Sequence, residues 1–491
     1  MRVRTLFCVF FLSLLFSNAS VGSSANESFI QAVRSMDANG IVSSLKQGAD
    51  IDARDHDQNT ALLITTSKRL FRRYEVNNLF NITKFLVDSG ADVNAQNSDG
   101  YSALMYASVN GHMDIVELLI KKGADVSARN REGQSVLMLA VDNKKSDVAK
   151  LLVRKGADVK ATHFRYGSAL LLAAHKSDMK IMKLLVEKRA DVNVSDGQGV
   201  SPVMVLAKSD HSDMIKSLVK EGANVNAQDQ NGATALMHAL TPFKIYPDSI
   251  NTLLDQGADV NLQDADGMTA LMIALKKDRL EMVKTLLNNG ADVNLRNNDG
   301  RTALMLAIEL GHKNVVKNII AGKADLNLHS TEGWNALMIA IKSNDIASAK
   351  VLVDKGTDIN AKDHKGMTAL MLASEERDLD IVKLLLENGA NASEKNKAGN
   401  NALMIASEVG QMPIVNVLID RQGVDLNTQN NMGHTTLIKA SFAGNMEVVK
   451  LLISKGADPK LRDKNGLTAA MAANSQNNHD IVEYLRNLNG R

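Results

Sequence analysis

The sequence predicts an all-α solenoid of about fourteen helix–turn–helix units with β-turn fingers. The first observation behind this is a period. A capping Thr, Ser or Asn followed by an Ala-Leu-Met-like triplet recurs at Thr60, Ser102, Ser135, Ser168, Ser201, Thr234, Thr269, Thr302, Asn335, Thr368, Asn401, Thr435 and Thr468, and nine of the twelve spacings are 33 residues. Self-similarity at such a period is the mark of stacked repeats. The second observation is that each copy carries two short apolar stripes at helical spacing, closed by a Gly-Ala-Asp phrase. The third is composition: only 5 Pro and 4% aromatics, with the same few apolar types reused throughout.

The first segment reads differently from the rest. Arg2 and Arg4 give a basic start, Thr5–Phe16 is an apolar run, and small residues follow up to Ala25. That order predicts a signal peptide over residues 1–25, with Ala19 or Ala25 preceding the cut. The apolar run is short against the roughly 20 residues a membrane span requires. Export implies a periplasmic or secreted chain with no membrane attachment after cleavage. Cys8 is the only Cys, so the exported chain has none and must be held by packing alone. The full chain carries 57 basic and 55 acidic residues. Loss of Arg2 and Arg4 brings the net charge to zero, which excludes nucleic acid and anionic membrane as the main partner.

Residues 26–59 form an N-terminal capping unit that ends in Gly-Ala-Asp-Ile-Asp but lacks the opening phrase. Stacked repeats fill residues 60–467, and 468–491 form a C-terminal capping unit. The copy at Gly300–Ala307 shows the logic. The Thr302 hydroxyl caps the free N–H groups of a helix starting there, Ala303 and Ala307 allow close helix approach, and Leu304 faces the core. Gly311 and His312 end that helix. A second helix follows with Val315, Val316, Ile319 and Ile320 on one face, and the next Gly stops it. Such a pair cannot bury its stripe alone, so neighbours must stack.

The phrases Asp-Gly-x-Thr-Ala-Leu-Met, Gly-His-x-x-Ile-Val-x-x-Leu-Leu and Gly-Ala-Asp-Val-Asn closely resemble the ankyrin repeat, over essentially everything after residue 25. The family favours Thr-Pro-Leu-His, and only Ser201-Pro202 keeps the Pro. Met replaces the His at Met105, Met138, Met204, Met237, Met272, Met305, Met338, Met371, Met404 and Met471, trading inter-unit hydrogen bonds for adaptable packing. Arg189 and Lys323 stand where most units have the helix-ending Gly, which predicts strained or reshaped corners.

Chemistry is sparse. The chain has no His-Glu-x-x-His, Gly-x-Ser-x-Gly or Walker-type loop, and no enzyme activity or cofactor is expected. Ser43–Lys46 fits a Ser-x-x-Lys pattern by coincidence, and Asp264–Gly267 is a turn without the closing Glu of a calcium loop. The eleven His show no metal-ligand spacing. The Met row reads as core; a redox reading would make it a shield of the cell envelope against oxidant.

What the resemblance implies is protein binding in a concave groove, against turn tips and exposed positions of the first helices. The residue before each capping position is one such variable site. It places Met268, Arg301, Trp334 and Met367 side by side in four successive units, an apolar row expected to be exposed, with Tyr101 earlier in the same register. Groove-side charges on the same helices alternate: Lys276 and Lys277, Glu309, Lys342, then Glu375. A nine-residue insertion adds Arg69, Phe71, Arg72, Arg73 and Tyr74, suited to an acidic partner or to a longer first helix with a solvated face. Pro242–Pro247 and Phe164–Tyr166 are two further irregular loops. The expected function is a non-enzymatic scaffold for a protein partner, acting as a monomer, with a host-directed bacterial effector as another role for the same binding fold.

Overall fold

The computed structural model describes residues 24–69, 73–421 and 424–488, without the side chains of 73–77. Residues 1–23, most of the expected signal peptide, lie outside the described residues, as do Leu70, Phe71 and Arg72. The rest is helix paired with helix. A helix over residues 24–35 and Ala38–Lys46 form the first pair, and thirteen further pairs follow at the predicted period. They fall into two compact bodies, Met1–Ala258 and Asp259–Arg491. Each holds seven of the pairs.

Every first helix begins one residue after its predicted cap. Thr302 is extended at φ −88° and ψ 168°, and its hydroxyl accepts from the Met305 N–H at 3.3 Å. The helix Ala303–Glu309 buries Ala303, Leu304, Met305, Ala307 and Ile308. Gly311 follows at φ +75° and turns the chain into Lys313–Ala321, which buries Val315, Val316 and Ile319 while Ile320 stays half-buried. Burying three to five apolar side chains per helix, at about 1.5–3 kcal/mol for each of the larger ones, is what stacking gains and an isolated pair lacks.

Joints between neighbouring units are polar as well as apolar. The Asn of each Gly-Ala-Asp-Val-Asn phrase reaches across to the next copy. Asn294 accepts from the Asp325 N–H at 2.7 Å and donates to the Lys323 carbonyl at 3.3 Å. Asn261 does the same with Asp292 and Gly290, and Asn360 with Asn391 and Gly389. At the finger tips a backbone bond joins successive turns, as from the Thr331 N–H to the Asp299 carbonyl at 2.8 Å. The turn glycine is required for that approach. Gly333 has φ +85°, and a Cβ there would lie 2.7 Å from the His364 nitrogen.

Three sequence expectations are amended. Arg189 and Lys323 adopt φ +63° and +64°, the same left-handed exit that Gly makes elsewhere, so those corners keep their shape and carry the strain. The nine-residue insertion leaves the first helix short, Ala61–Thr66, and instead extends the second to Arg73–Asp88. Nine of the ten row methionines are buried at 2% exposure or less, and only Met471, in the last unit, stands at 47%. The accessible thioether row that an oxidant shield requires is therefore absent, because each Met is covered by its neighbours in the stack.

Candidate protein-binding face

Each first helix meets solvent along one edge, flanked by the finger that precedes it. In the body Asp259–Arg491, this edge carries the variable residues. A shared turn positions each of them. The side chain five residues before the cap accepts two N–H groups, as Asn297 does from Asp299 at 3.1 Å and Arg301 at 2.8 Å. Asp363 holds Lys365 and Met367 in the same way, at 2.8 and 2.7 Å. The variable residue then lies down on the next finger.

That placement overturns the exposed apolar row. Met268 and Met367 are 7% and 8% exposed. The Met268 sulfur accepts from Asn297 at 3.7 Å and the Met367 sulfur from Asn396 at 3.2 Å. Trp334 is half-buried, its indole N–H donating to Asp363 Oδ2 at 3.2 Å. Arg301 pairs with Glu309 and lies 3.9 Å from Glu332, its side chain 20% exposed. The Glu309 hydrogen bond holds the Arg301 guanidinium above its usual pKa against the opposing effect of burial. Glu332 is held below the usual carboxylate range by the Ser330 hydroxyl. Sequence spacing set the four in one register; it did not show that an Asn or Asp of the next turn would hold Met268, Trp334 and Met367, or that Glu309 would hold Arg301.

The helix charges alternate as expected and mostly satisfy each other. Lys342 sits 3.4 Å from Glu375 and pairs also with Glu376. Burial pulls its pKa down, but the two acids outweigh burial and leave it raised. Two cations differ. Lys276 and Lys277 are exposed, and their side chains make no hydrogen bond or ion pair among the described residues. In the next unit Leu310, in the register of Lys277, is 44% exposed. This trio of two free ammonium groups beside an apolar side chain was only half visible in the sequence, since Leu310 looked like any other helix-end residue.

In the body Met1–Ala258 the same register holds Tyr101, stacked on Tyr106 with ring centroids 5.0 Å apart. Burial raises both phenol pKa values. Arg69 is exposed, whereas the side chains of Arg73 and Tyr74, with Phe71 and Arg72, belong to the undescribed part of the insertion. The loop before Pro247–Asp255 projects Phe243, 98% exposed, with Lys244 Nζ 5.0 Å from the Tyr246 ring. Among the described residues no group of three His, Cys, Asp or Glu could hold a metal ion, and no helix is long and apolar enough to cross a membrane.

Comparison with known proteins agrees with this architecture. The family description for ankyrin repeats, in sets of three copies, matches residues 70–163, 170–261, 243–330, 314–396 and 403–490. No curated protein matches the chain. Stacked helix pairs of this family act as protein–protein interaction scaffolds, and with matches spanning residues 70–490 the chain belongs to the ankyrin repeat family.

Proposed function

We propose that the chain is a non-enzymatic scaffold that holds a segment of a protein partner along the first-helix edge of the body Asp259–Arg491. The observation that carries this is the pair of free ammonium groups, Lys276 and Lys277, beside exposed Leu310. The neighbouring charges are already spoken for by Arg301–Glu309 and by Lys342 with Glu375 and Glu376. A partner segment with an acid next to an apolar side chain fits that trio. Arg301 and Trp334 supply its half-buried floor. Met268 and Met367 act through the fingers they hold in place. Rim charges of this type act chiefly on association rate and salt dependence, while the apolar contact sets residence.

The test is affinity capture with cross-linking from the native compartment. It compares the unaltered chain with Lys276→Glu plus Lys277→Glu, and with Leu310→Ser. These surface positions leave the fold intact; Arg301→Glu is unsuitable, because it would set a third acid beside Glu309 and Glu332. The expected result is a set of partners that the double variant loses and that high salt also weakens. Equal recovery of every partner by all three proteins would sink the proposal.

Export, with action as a monomer, completes it. Ala25 is 6% exposed within the helix over residues 24–35, so a cut after Ala19 keeps that helix whole. The intact mass of the chain recovered from the envelope fraction checks this, and a mass starting at Asn26 would refute it.

A further inference from the structure

One finger departs from the turn that the others share. Thr162–His163 and Gly167–Ser168 form a two-stranded hairpin, with His163 opposite Gly167. His163 occupies the register held by Asn97, Asp196, Asp229, Asn297 and Asp363, whose side-chain oxygens accept the turn's N–H groups. Here the imidazole takes that part. Its Nδ1 accepts from the Arg165 N–H at 3.1 Å and the Tyr166 N–H at 3.2 Å. Backbone N–H groups can only donate, so Nδ1 carries no proton in this turn, and the ring proton sits on Nε2. That nitrogen is buried and has no hydrogen-bond partner, in a residue 7% exposed.

The ring is also the packing centre of the finger. Tyr166 stacks on it with centroids 4.8 Å apart, and Phe164 lies against it at 4.9 Å. Phe164 is itself 81% exposed. Support from outside is thin. The tip-to-tip backbone bond seen from Arg131 to Asp99 and from Gln230 to Gln198 is not formed by Phe164 or Gly197. Arg129 reaches in to donate to the Thr162 carbonyl at 3.0 Å. The charged and titratable groups on the elements around the ring are Arg129, Arg131 and Glu132 on the preceding finger, Tyr101 beside that finger, Asp158 near Arg129, Arg165 and Tyr166 of the hairpin, and Asp196 on the following finger. None of their side chains makes a hydrogen bond with either ring nitrogen.

We propose that His163 makes this hairpin an acid-opening clasp that releases Phe164, Arg165 and Tyr166 together. An Asn or Asp oxygen at this register stays an acceptor across neutral and mildly acid pH. Imidazole is the side chain that changes charge in that range, and imidazolium has two donors and no acceptor. Protonation sets a third N–H against the two already aimed at Nδ1. Both turn bonds are then lost, and the Tyr166 stack goes with them. The opened tip offers two aromatic rings and a guanidinium, residue types enriched at the centres of protein interfaces. It is an interaction surface whose presentation depends on acidity.

The test is hydrogen–deuterium exchange of the full chain at pH 7.5 and pH 5.0, with exchange times scaled for the intrinsic rate. The peptide covering residues 160–168 is the reporter, and the peptide around Asn297 is the internal control. In the unaltered chain the reporter should lose roughly tenfold in protection at pH 5.0, as two hydrogen bonds open, while the control holds. In His163→Asn, which restores the acceptor of the other fingers, the reporter should be equally protected at both pH values. His163→Phe, which keeps a ring but no acceptor, should be unprotected at both. A reporter that keeps its protection at pH 5.0 in the unaltered chain, or loses as much in His163→Asn, overturns the proposal.

Discussion

A single Asn per repeat does more for this molecule than its polar, unassuming position suggests. In Asn294 the carbonyl and amide of one side chain each take a backbone group of the following unit. That replaces, in part, the inter-unit hydrogen bonds surrendered when Met took the family's His. Removing it leaves an N–H and a carbonyl to water at an exposed joint, so the loss is modest. Asn294→Ala should destabilise the chain by about 1 kcal/mol, read as a lower urea midpoint with an unchanged m-value. Trp334 illustrates the opposite case at this scale. Its unique occurrence and its register marked it as a contact residue, yet Asp363 already holds its indole N–H. Whether a side chain is free depends on what its neighbour 29 residues later presents, and that pairing has no signature within one repeat.

At the scale of the element, almost every boundary was legible. Helix starts follow from Thr, Ser or Asn caps, and exits from Gly at a fixed offset, because each residue type answers a local backbone demand. What was not legible was where an irregular stretch would be absorbed. The part of the insertion from Arg73 onward belongs to the second helix, whose buried face runs through Leu79 and Ile82 into Leu86. Nothing in the insertion alone states which flanking helix it extends. The corners at Arg189 and Lys323 show an element's shape overruling a residue's preference: the stack keeps φ positive there, at +63° and +64°, where the glycines of other units take +82° to +99°. Relieving that strain should stabilise the protein. Arg189→Gly and Lys323→Gly should each add about 0.5–1 kcal/mol, seen as a raised Tm, while glycine at an exposed corner with negative φ would do the reverse.

At the scale of the whole molecule, regularity hides chemistry. Ten methionines in register invited a redox role, and stacking alone decides their fate. Met471, in the terminal described pair, is open at 47%, whereas Met305 and Met338, covered by neighbouring pairs on both sides, sit at 1% and 0%. Mild peroxide followed by peptide mass mapping should oxidise Met471 and the exposed finger residue Met432 first, and leave the nine buried methionines intact until the fold is lost. Sequence could count the row but not see which member lacked a cover. The joints carry a further consequence. Because Asn294, Asn261 and Asn360 read only the main chain of the copy ahead, these joints do not depend on which side chains that copy carries. The links share one coupling, so a whole link can be duplicated or dropped in the gene without redesigning its neighbours. Such a chain can change its length, and the order of its variable residues, far more freely than a globular core would permit.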